Sequence, residues 1–265
     1  MNSEILKIRF WKFDIYKRRF LQKTAFTKDD VWKKNDFHDD FDTFFFITSS
    51  YSKSPASRAI ITGGSDGIGK GYALELAKRG LNVCIISRTE SKLQTTCKEI
   101  TSKHPATKTE YICFDFLTDD YSELYQKLTS FEWFNDTGVL VNNVGVLPYG
   151  YDCYAKFGVK SSGLSVEETC REVENLENIN LKSQKVNIHA PSMMTGFLLP
   201  VFVQKKKGVI VNLSSVSAVS ETPYWTVYGA AKAYNYYRVE WELEWLSQSC
   251  ENTKKRLNIK QLSTA

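Results

Sequence analysis

The chain has 265 residues, of which 42% are hydrophobic and 25% are charged. This composition is ordinary for a globular chain and excludes a wholly disordered protein, a collagen and a multi-span membrane protein. Lys and Arg number 35 against 30 Asp and Glu, which gives a formal net charge of +5. Because this small excess is dispersed along the chain, we predict no nucleic-acid partner.

Residues 1–57 differ from the rest of the chain. They hold thirteen of the 36 aromatic residues without a strand or helix pattern, and they end in a Ser-rich, linker-like stretch. We predict an irregular leader and linker; the alternative is a basic, aromatic helix lying on a membrane surface, a peripheral contact. No run of about 18 apolar residues and no signal-peptide core occurs, so we predict an intracellular protein without a membrane-spanning segment.

From residue 58 onward, short apolar runs alternate with amphipathic stretches. Six buried strands are predicted at Ala59–Thr62, Asn82–Ser87, Tyr111–Phe114, Val139–Asn142, Gly208–Leu213 and Leu257–Leu262. Helices are predicted at Ile68–Arg79, Ser91–Ser102, Asp120–Ser130, Val186–Gln204 and Val227–Ser249. This alternation predicts one α/β domain over residues 58–265, a Rossmann-type doubly wound parallel sheet with helices on both faces. Residues 149–185 are interpreted as an irregular insertion with one helical stretch, around residues 166–176.

The turn after the first predicted strand is rich in glycine. It has the spacing G-x-x-x-G-x-G and runs directly into a predicted helix. Glycine allows a tight turn, and the helix N-terminus presents N–H groups to a phosphate, so the segment is a candidate dinucleotide-binding loop. The candidate cofactor-binding residues are Thr62, Gly63, Ser65, Asp66, Gly67, Ile68 and Gly69.

The end of the second strand bears on the choice of cofactor. An acidic residue there would bind the adenosine ribose of NAD(H), but the chain has Ser87 and Arg88. Both side chains can donate hydrogen bonds to a 2′-phosphate, so we predict NADP(H) as the cofactor. An ordinary surface arginine is the alternative interpretation.

A tyrosine and a lysine stand four residues apart on the last predicted helix. Tyr228 and Lys232 therefore share one face, and an ammonium close to a phenol lowers the pKa of the phenol toward the range useful for proton transfer. The strand before this helix delivers Ser214 and Ser215 to its C-terminal end, where open α/β sheets bind ligands. The six cysteines and three histidines are scattered without a C-x-x-C pair, so no metal site is predicted.

These motifs together resemble the short-chain dehydrogenase/reductase family. Over about residues 58–265 the order is T-G-x-x-x-G-x-G, N-N-x-G, S and Y-x-x-x-K. The segments Gly64–Lys70, Glu75–Gly80 and Ile86–Arg88 look like the subgroup of very-long-chain 3-oxoacyl-CoA reductases and 17β-hydroxysteroid dehydrogenases. That resemblance implies an NADPH-dependent oxidoreductase that reduces a lipophilic ketone. It also implies a homodimer and a location at the endoplasmic reticulum.

The resemblance also implies catalytic roles. Tyr228 would be the general acid, while Lys232 would lower its pKa and bind the nicotinamide ribose. Ser215 would orient the substrate carbonyl, with Ser214 as the neighbouring alternative. Asn187 would hold a water in the proton relay; its spacing to Pro200 favours it over the rival Asn180.

Further cofactor contacts follow from the same resemblance. Asp115 would contact adenine, and Asn142 and Gly145 would line the cofactor cleft. A solvated loop aspartate is the alternative for Asp115. Tyr228 and Lys232 would contribute to the cofactor site as well as to catalysis.

The sequence departs from the family pattern at its C-terminal end. It stops after the sixth predicted strand, so we expect the last strand and much of the substrate wall to be missing. A non-catalytic truncated dehydrogenase, acting as a cofactor-binding or dimerisation module, is therefore the alternative function.

Overall fold

The computed structural model describes residues 58–147, 165–205, 207–220, 225–249 and 258–264, with side chains up to Tyr237 apart from several between residues 166 and 176. The predicted leader and its membrane contact (residues 1–57) and residues 148–164 of the predicted insertion lie outside them. The strands are β1 (Arg58–Thr62), β2 (Asn82–Ser87), β3 (Thr109–Cys113), β4 (Thr137–Asn142), β5 (Lys207–Leu213) and β6 (Asn258–Thr264). The α-helices are α1 (Gly67–Lys78), α2 (Glu90–Lys103), α3 (Ser122–Thr129), α4 (Val166–Gln184), α5 (Ala190–Lys205) and α6 (Thr226–Ser249).

All six described strands are parallel and lie in the order β3-β2-β1-β4-β5-β6. The chain runs outward in one direction from β1 and then returns to its other side at β4, which confirms the predicted doubly wound α/β fold. The ends of the strands lie within two residues of the predicted ones. The switch point between β1 and β4 opens a crevice at the C-terminal ends of the strands, the usual ligand position in such sheets. The expectation that a further strand is missing stays a prediction.

The strands are buried on both faces because their apolar side chains alternate between two cores. Ile61 packs on one side with residues of α1 and α2, among them Leu76 and Leu93. Its neighbour Ile60 packs on the other side with residues of α3 and α5, among them Leu124. A continuous run of β-branched residues is typical of a strand covered on both sides, which is why the strands were predictable.

Helices α4 and α5 are joined by a π-helical turn, Lys185–His189, so the chain is helical from Val166 to Lys205. The helical stretch predicted around residues 166–176 is the start of α4, but the described remainder of the insertion, up to residue 185, is helical and not irregular as expected. The helix begins at Val166 because Ser165 and Glu168 form a capping box, in which the Ser165 hydroxyl accepts from the Glu168 N–H at 3.2 Å. The carboxylate of Glu168 accepts from the Ser165 N–H in return, at 2.8 Å.

The segment Glu177–Lys205 is long and apolar enough to cross a membrane by length and composition, which the sequence pattern does not predict. Half of its most apolar window is buried within the fold. Met194, Leu198 and Phe202 pack in the same core as Leu140 and Ile210 of the central strands. We therefore assign this segment as the core helix that covers β4 and β5.

A charged pair lies at the N-terminal edge of the sheet. Arg58 is 2% exposed, forms an ion pair with Glu110 and lies with its guanidinium carbon 4.0 Å from the centre of the Trp133 ring. Burial lowers the pKa of the Arg58 guanidinium, and the Glu110 carboxylate opposes that shift. A buried cation of this kind depends on its partner, because removing the partner leaves an uncompensated charge.

Replacement of Glu110 by Ala should therefore destabilise the fold by about 1–2 kcal/mol, because the Glu110 side chain is 36% exposed and water screens part of the interaction. The double variant Arg58→Met/Glu110→Leu should lose clearly less, because it leaves no unpaired charge. Urea unfolding of the three proteins measures both values. Equal losses in the single and double variants would show that packing at this edge, and not the unpaired Arg58 charge, accounts for the effect.

Candidate active site

The loop between β1 and α1 is shaped for phosphate binding. Gly63 and Gly67 have φ angles of 64° and 53°, in the left-handed region that favours glycine. Asp66 caps α1 by accepting from the Gly67 N–H at 2.8 Å. A Cβ added at Gly67 would meet no atom within 4 Å, so the loop is open there toward the helix N-terminus. Its residues thus fit the pyrophosphate of a dinucleotide.

Gly69 lets the helix approach the loop closely. A Cβ at this position would lie 2.4 Å from the Gly63 carbonyl oxygen and 2.3 Å from Asn143 Nδ2. That Nδ2 donates to the carbonyls of Thr62 and Gly63, at 3.0 Å each. Asn143 therefore fixes the shape of the glycine-rich loop from the end of β4.

The sequence pattern points instead to the preceding residue, Asn142, as a cofactor contact. In the structure Asn142 is 4% exposed, and its Nδ2 donates to Asn212 Oδ1 at 2.8 Å and to Thr195 Oγ1 at 3.2 Å. The Asn142 amide is thus hydrogen-bonded inside the fold, and Asn143 makes the contact with the glycine-rich loop. Because successive residues of a strand point to opposite faces of the sheet, a shift of one residue decides which of the two asparagines contacts the loop.

The loop also contacts the end of β2, where the adenosine half of a dinucleotide is expected. Ser65 Oγ donates to Ser87 Oγ at 2.9 Å. Arg88 is exposed, and its side chain has no ion-pair partner among the residues that the structure describes. Asp115, after β3, is also exposed, and its carboxylate accepts from the Leu117 N–H at 3.1 Å. These side chains remain available to a ligand at this end of the crevice.

Tyr228 and Ser215 come together at the C-terminal end of β5. The Ser215 hydroxyl lowers the pKa of Tyr228, but burial outweighs that effect, so the pKa of the phenol is raised overall. Ser215 Oγ also accepts from the Ser217 N–H at 3.2 Å. The sequence predicts a lowered pKa for the Tyr228 phenol, because Lys232 lies on the same face of the helix. In the structure the Lys232 ammonium lies 5.7 Å from the centre of the Tyr228 ring, and desolvation is the larger effect.

Lys232 is a buried cation behind this pair of hydroxyls. It is 5% exposed, and its Nζ donates to the Leu213 carbonyl at 3.0 Å. Burial lowers the pKa of this ammonium to about 8. Ser214 donates to the backbone carbonyl of Lys232 at 2.7 Å, so it orients the helix, and Ser215 is the serine that meets Tyr228.

Asn187 lies in the π-helical turn between α4 and α5. Its Oδ1 accepts from the Val146 N–H at 2.9 Å, and its Nδ2 donates to the Val146 carbonyl at 2.8 Å. A Cβ at Gly145 would lie 3.0 Å from Asn187 Oδ1 and 3.3 Å from Lys232 Nζ. Asn187 is thus brought close to Lys232, whereas the rival Asn180 lies about two turns earlier, in α4.

A phosphate loop at the switch point and a Ser–Tyr–Lys group beside it define a nicotinamide-dependent oxidoreductase site. The family model for the short chain dehydrogenases matches residues 57–235, more than half of the sequence. The chain belongs to the short-chain dehydrogenase family, whose members are oxidoreductases that use a nicotinamide cofactor.

Two relatives show what the chain resembles. A very-long-chain 3-oxoacyl-CoA reductase of Caenorhabditis briggsae is 39% identical over 185 residues, covering 69% of this chain and 52% of that protein. Hydroxysteroid dehydrogenase-like protein 1 of Gallus gallus is 40% identical over 176 residues, covering 66% of this chain and 47% of that protein. The chain therefore spans about half the length of the curated relatives that it matches.

Solved structures agree with the fold. A short-chain dehydrogenase from Sphingobium yanoikuyae, in complex with NADPH, has a TM-score of 0.56 to this chain at 22% identity. The match covers 78% of this chain and 70% of that one.

Two glycines of α1 allow a matched test of the phosphate loop. Gly69→Ala would place a Cβ against backbone and should weaken NADPH binding at least tenfold and lower the unfolding midpoint. Gly71→Ala has open space and should be neutral or stabilise by about 0.5–1 kcal/mol. Fluorescence titration with NADPH and thermal unfolding measure both effects. Equal NADPH affinity in the two variants would contradict the close helix–loop contact.

Proposed function

We propose that the chain is an NADPH-dependent reductase of a lipophilic ketone, either a 3-oxoacyl-CoA or a steroid. The observation that carries this proposal is the buried Lys232 ammonium, 5.7 Å from the centre of the Tyr228 ring, with the Ser215 hydroxyl acting on the same phenol. The names of the two relatives supply the two candidate substrate classes. A non-catalytic module is less favoured, because such a module would not need the complete group of Ser215, Tyr228 and Lys232.

The roles of the side chains follow from their geometry. A bound nicotinamide cofactor would supply the hydride, held by the loop from Thr62 to Gly69. Tyr228 would donate its proton to the ketone oxygen, since its raised pKa keeps the phenol protonated at neutral pH. Ser215 would hydrogen-bond the same oxygen and orient it. Lys232, largely charged at neutral pH, would stabilise the phenolate that remains.

The preference for NADPH is argued from the end of β2. Arg88 is exposed and has no ion-pair partner in the part of the chain that the structure describes, and Ser87 is held beside the loop by Ser65. Together they can donate to a 2′-phosphate, and no acidic residue follows β2 directly to accept from a ribose hydroxyl. The NADPH bound in the Sphingobium yanoikuyae structure is consistent with this preference.

A lipophilic substrate is supported by exposed apolar side chains around the hydroxyl pair. Val216, directly after Ser215, is 63% exposed, and Leu147, two residues after Gly145, is 46% exposed. The Trp225 ring packs edge-on against Tyr228, with 5.9 Å between ring centres. Large apolar side chains exposed beside polar catalytic groups are typical of a binding site for an apolar ligand. The homodimer and the endoplasmic reticulum location implied by the resemblance stay predictions.

The role of Tyr228 can be tested against a second tyrosine of the same helix. Tyr228→Phe should lower ketone reduction by about 10²- to 10⁴-fold, because the general acid is lost. NADPH affinity should change less than about twofold, as expected for a group that acts on the chemical step. Tyr234→Phe, six positions further along the helix and 38% exposed, is the control and should retain activity. Steady-state rates with a 3-oxoacyl-CoA and a steroid ketone measure the effect. Retained activity in Tyr228→Phe would assign the proton to another group.

The cofactor preference has its own test. Arg88→Asp should change the ratio of NADPH to NADH affinity by about 100-fold in favour of NADH, because a charge-assisted contact to phosphate is lost. Lys98→Asp, the same charge reversal at an exposed site in α2, should leave the ratio unchanged. The dissociation constants of NADPH and NADH, measured for the unmodified protein and for both variants, test this prediction. An unchanged ratio in Arg88→Asp would make Arg88 an ordinary surface residue.

A further inference from the structure

Helix α6 carries a buried asparagine one turn beyond Lys232. Asn235 is 4% exposed, and its Nδ2 donates to the backbone carbonyl of Asn187 at 2.8 Å. Its Oδ1 is also buried and has no hydrogen-bond partner among the described residues. A buried amide that satisfies only one of its two ends costs stability, so an apolar residue would pack here more favourably. The bond to Asn187 is the feature that sets Asn235 apart.

The carbonyl of Asn187 lacks its regular α-helical donor. In an α-helix the N–H four residues later would bind it, but that residue is Pro191, which has no N–H. The chain forms a π-helical turn at Lys185–His189, directly before this proline. Asn235, from a neighbouring helix, supplies a hydrogen bond to this carbonyl in place of the one that Pro191 cannot make.

The same residue, Asn187, borders the pocket of the catalytic lysine. Its side chain binds both backbone groups of Val146, and this pairing holds Gly145 against the Lys232 ammonium. The backbone of Asn187 is tied to Asn235, which lies on the same helix as Lys232. A closed set of contacts thus connects the π-helical turn, the segment after β4 and the helix that carries the lysine.

We propose that Asn235 is a positioning residue, which clamps the Asn187 carbonyl to helix α6 and so fixes the wall of the Lys232 pocket. Asn235 is buried and acts through Asn187. This inference rests on the proposed function for its effect on turnover, but the clamp itself is a structural feature that can be measured without any substrate.

The variant Asn235→Leu removes the donor and keeps a similar volume. We expect kcat to fall at least tenfold, because a small displacement of catalytic groups has a large effect on the chemical step. KM for the ketone and the dissociation constant of NADPH should stay within about twofold. Hydrogen exchange of the Val146 amide, which donates to Asn187 Oδ1, should become at least tenfold faster as the turn loosens.

The matched control is Thr107→Val. Thr107 is also buried, and its hydroxyl also donates to a helix carbonyl, that of Ala77 at 3.1 Å, on the other side of the sheet. Its loss should lower thermal stability without changing kcat or the exchange of the Val146 amide. The comparison separates a positioning role from the general cost of losing a buried hydrogen bond.

Each outcome decides the proposal. Faster Val146 exchange together with a selective loss of kcat in Asn235→Leu supports it. Unchanged exchange, or a fall in kcat no greater than in Thr107→Val, overturns it. If the unmodified protein binds NADPH but reduces no ketone, the proposed function fails, and the exchange of Val146 in Asn235→Leu alone decides whether the clamp exists.

Discussion

The hydroxyl of Thr62 joins the two strands between which the sheet reverses its direction. It accepts from the N–H groups of Asn143 and Val144, at 3.0 and 3.1 Å, and donates to the Val141 carbonyl at 3.3 Å. One buried side chain thereby satisfies three backbone groups at the point where the ends of β1 and β4 separate. Without it, the crevice would begin with unpaired backbone groups, which are costly when they are buried. The shape of the phosphate loop, and through Asn143 the approach of α1, depends on this junction.

The second half of the site is organised by an irregularity in a helix. A regular helix through Asn187 would pair its carbonyl internally, but Pro191 prevents this. The π-helical turn and Asn235 compensate, and the result is that the Asn187 side chain reaches Val146 while its backbone is tied to α6. In regular secondary structure, the backbone N–H and C=O groups of each helix would pair within that helix. Here the bonds of Asn187 to Val146 and to Asn235 run between elements, so they fix the relative position of the π-helical turn, the segment after β4 and α6.

The features that are local in the sequence were predictable, and those that depend on packing were not. A continuous β-branched run such as Ile60–Ile61 indicates a strand that is covered on both faces. The four-residue spacing of Tyr228 and Lys232 places both side chains on one face of a helix. That Asn143, and not Asn142, contacts the glycine-rich loop depends on which face of β4 each side chain takes, and a shift of one residue would reverse it. The apolar residues around 166–176 predict the start of α4, but the apolar periodicity does not continue clearly through residues 177–185, so the unbroken helix up to α5 was not predictable. Asn235 has no sequence signal, since its partner is a backbone carbonyl 48 residues away.

The electrostatics of the site favour proton donation over proton abstraction. Burial raises the pKa of Tyr228 and lowers that of Lys232 to about 8, so at neutral pH the phenol keeps its proton and most of the lysine is charged. A cation acts weakly on a neutral phenol but strongly on a phenolate: at roughly 6 Å and an effective dielectric constant of about 20, two unit charges interact by about 3 kcal/mol. That interaction is absent before the proton leaves Tyr228 and present afterwards, so it lowers the free energy of the transfer itself. Burial thus keeps the proton on the phenol until it is donated, and the Lys232 charge offsets the weaker acidity by stabilising the phenolate, as reduction of a ketone requires.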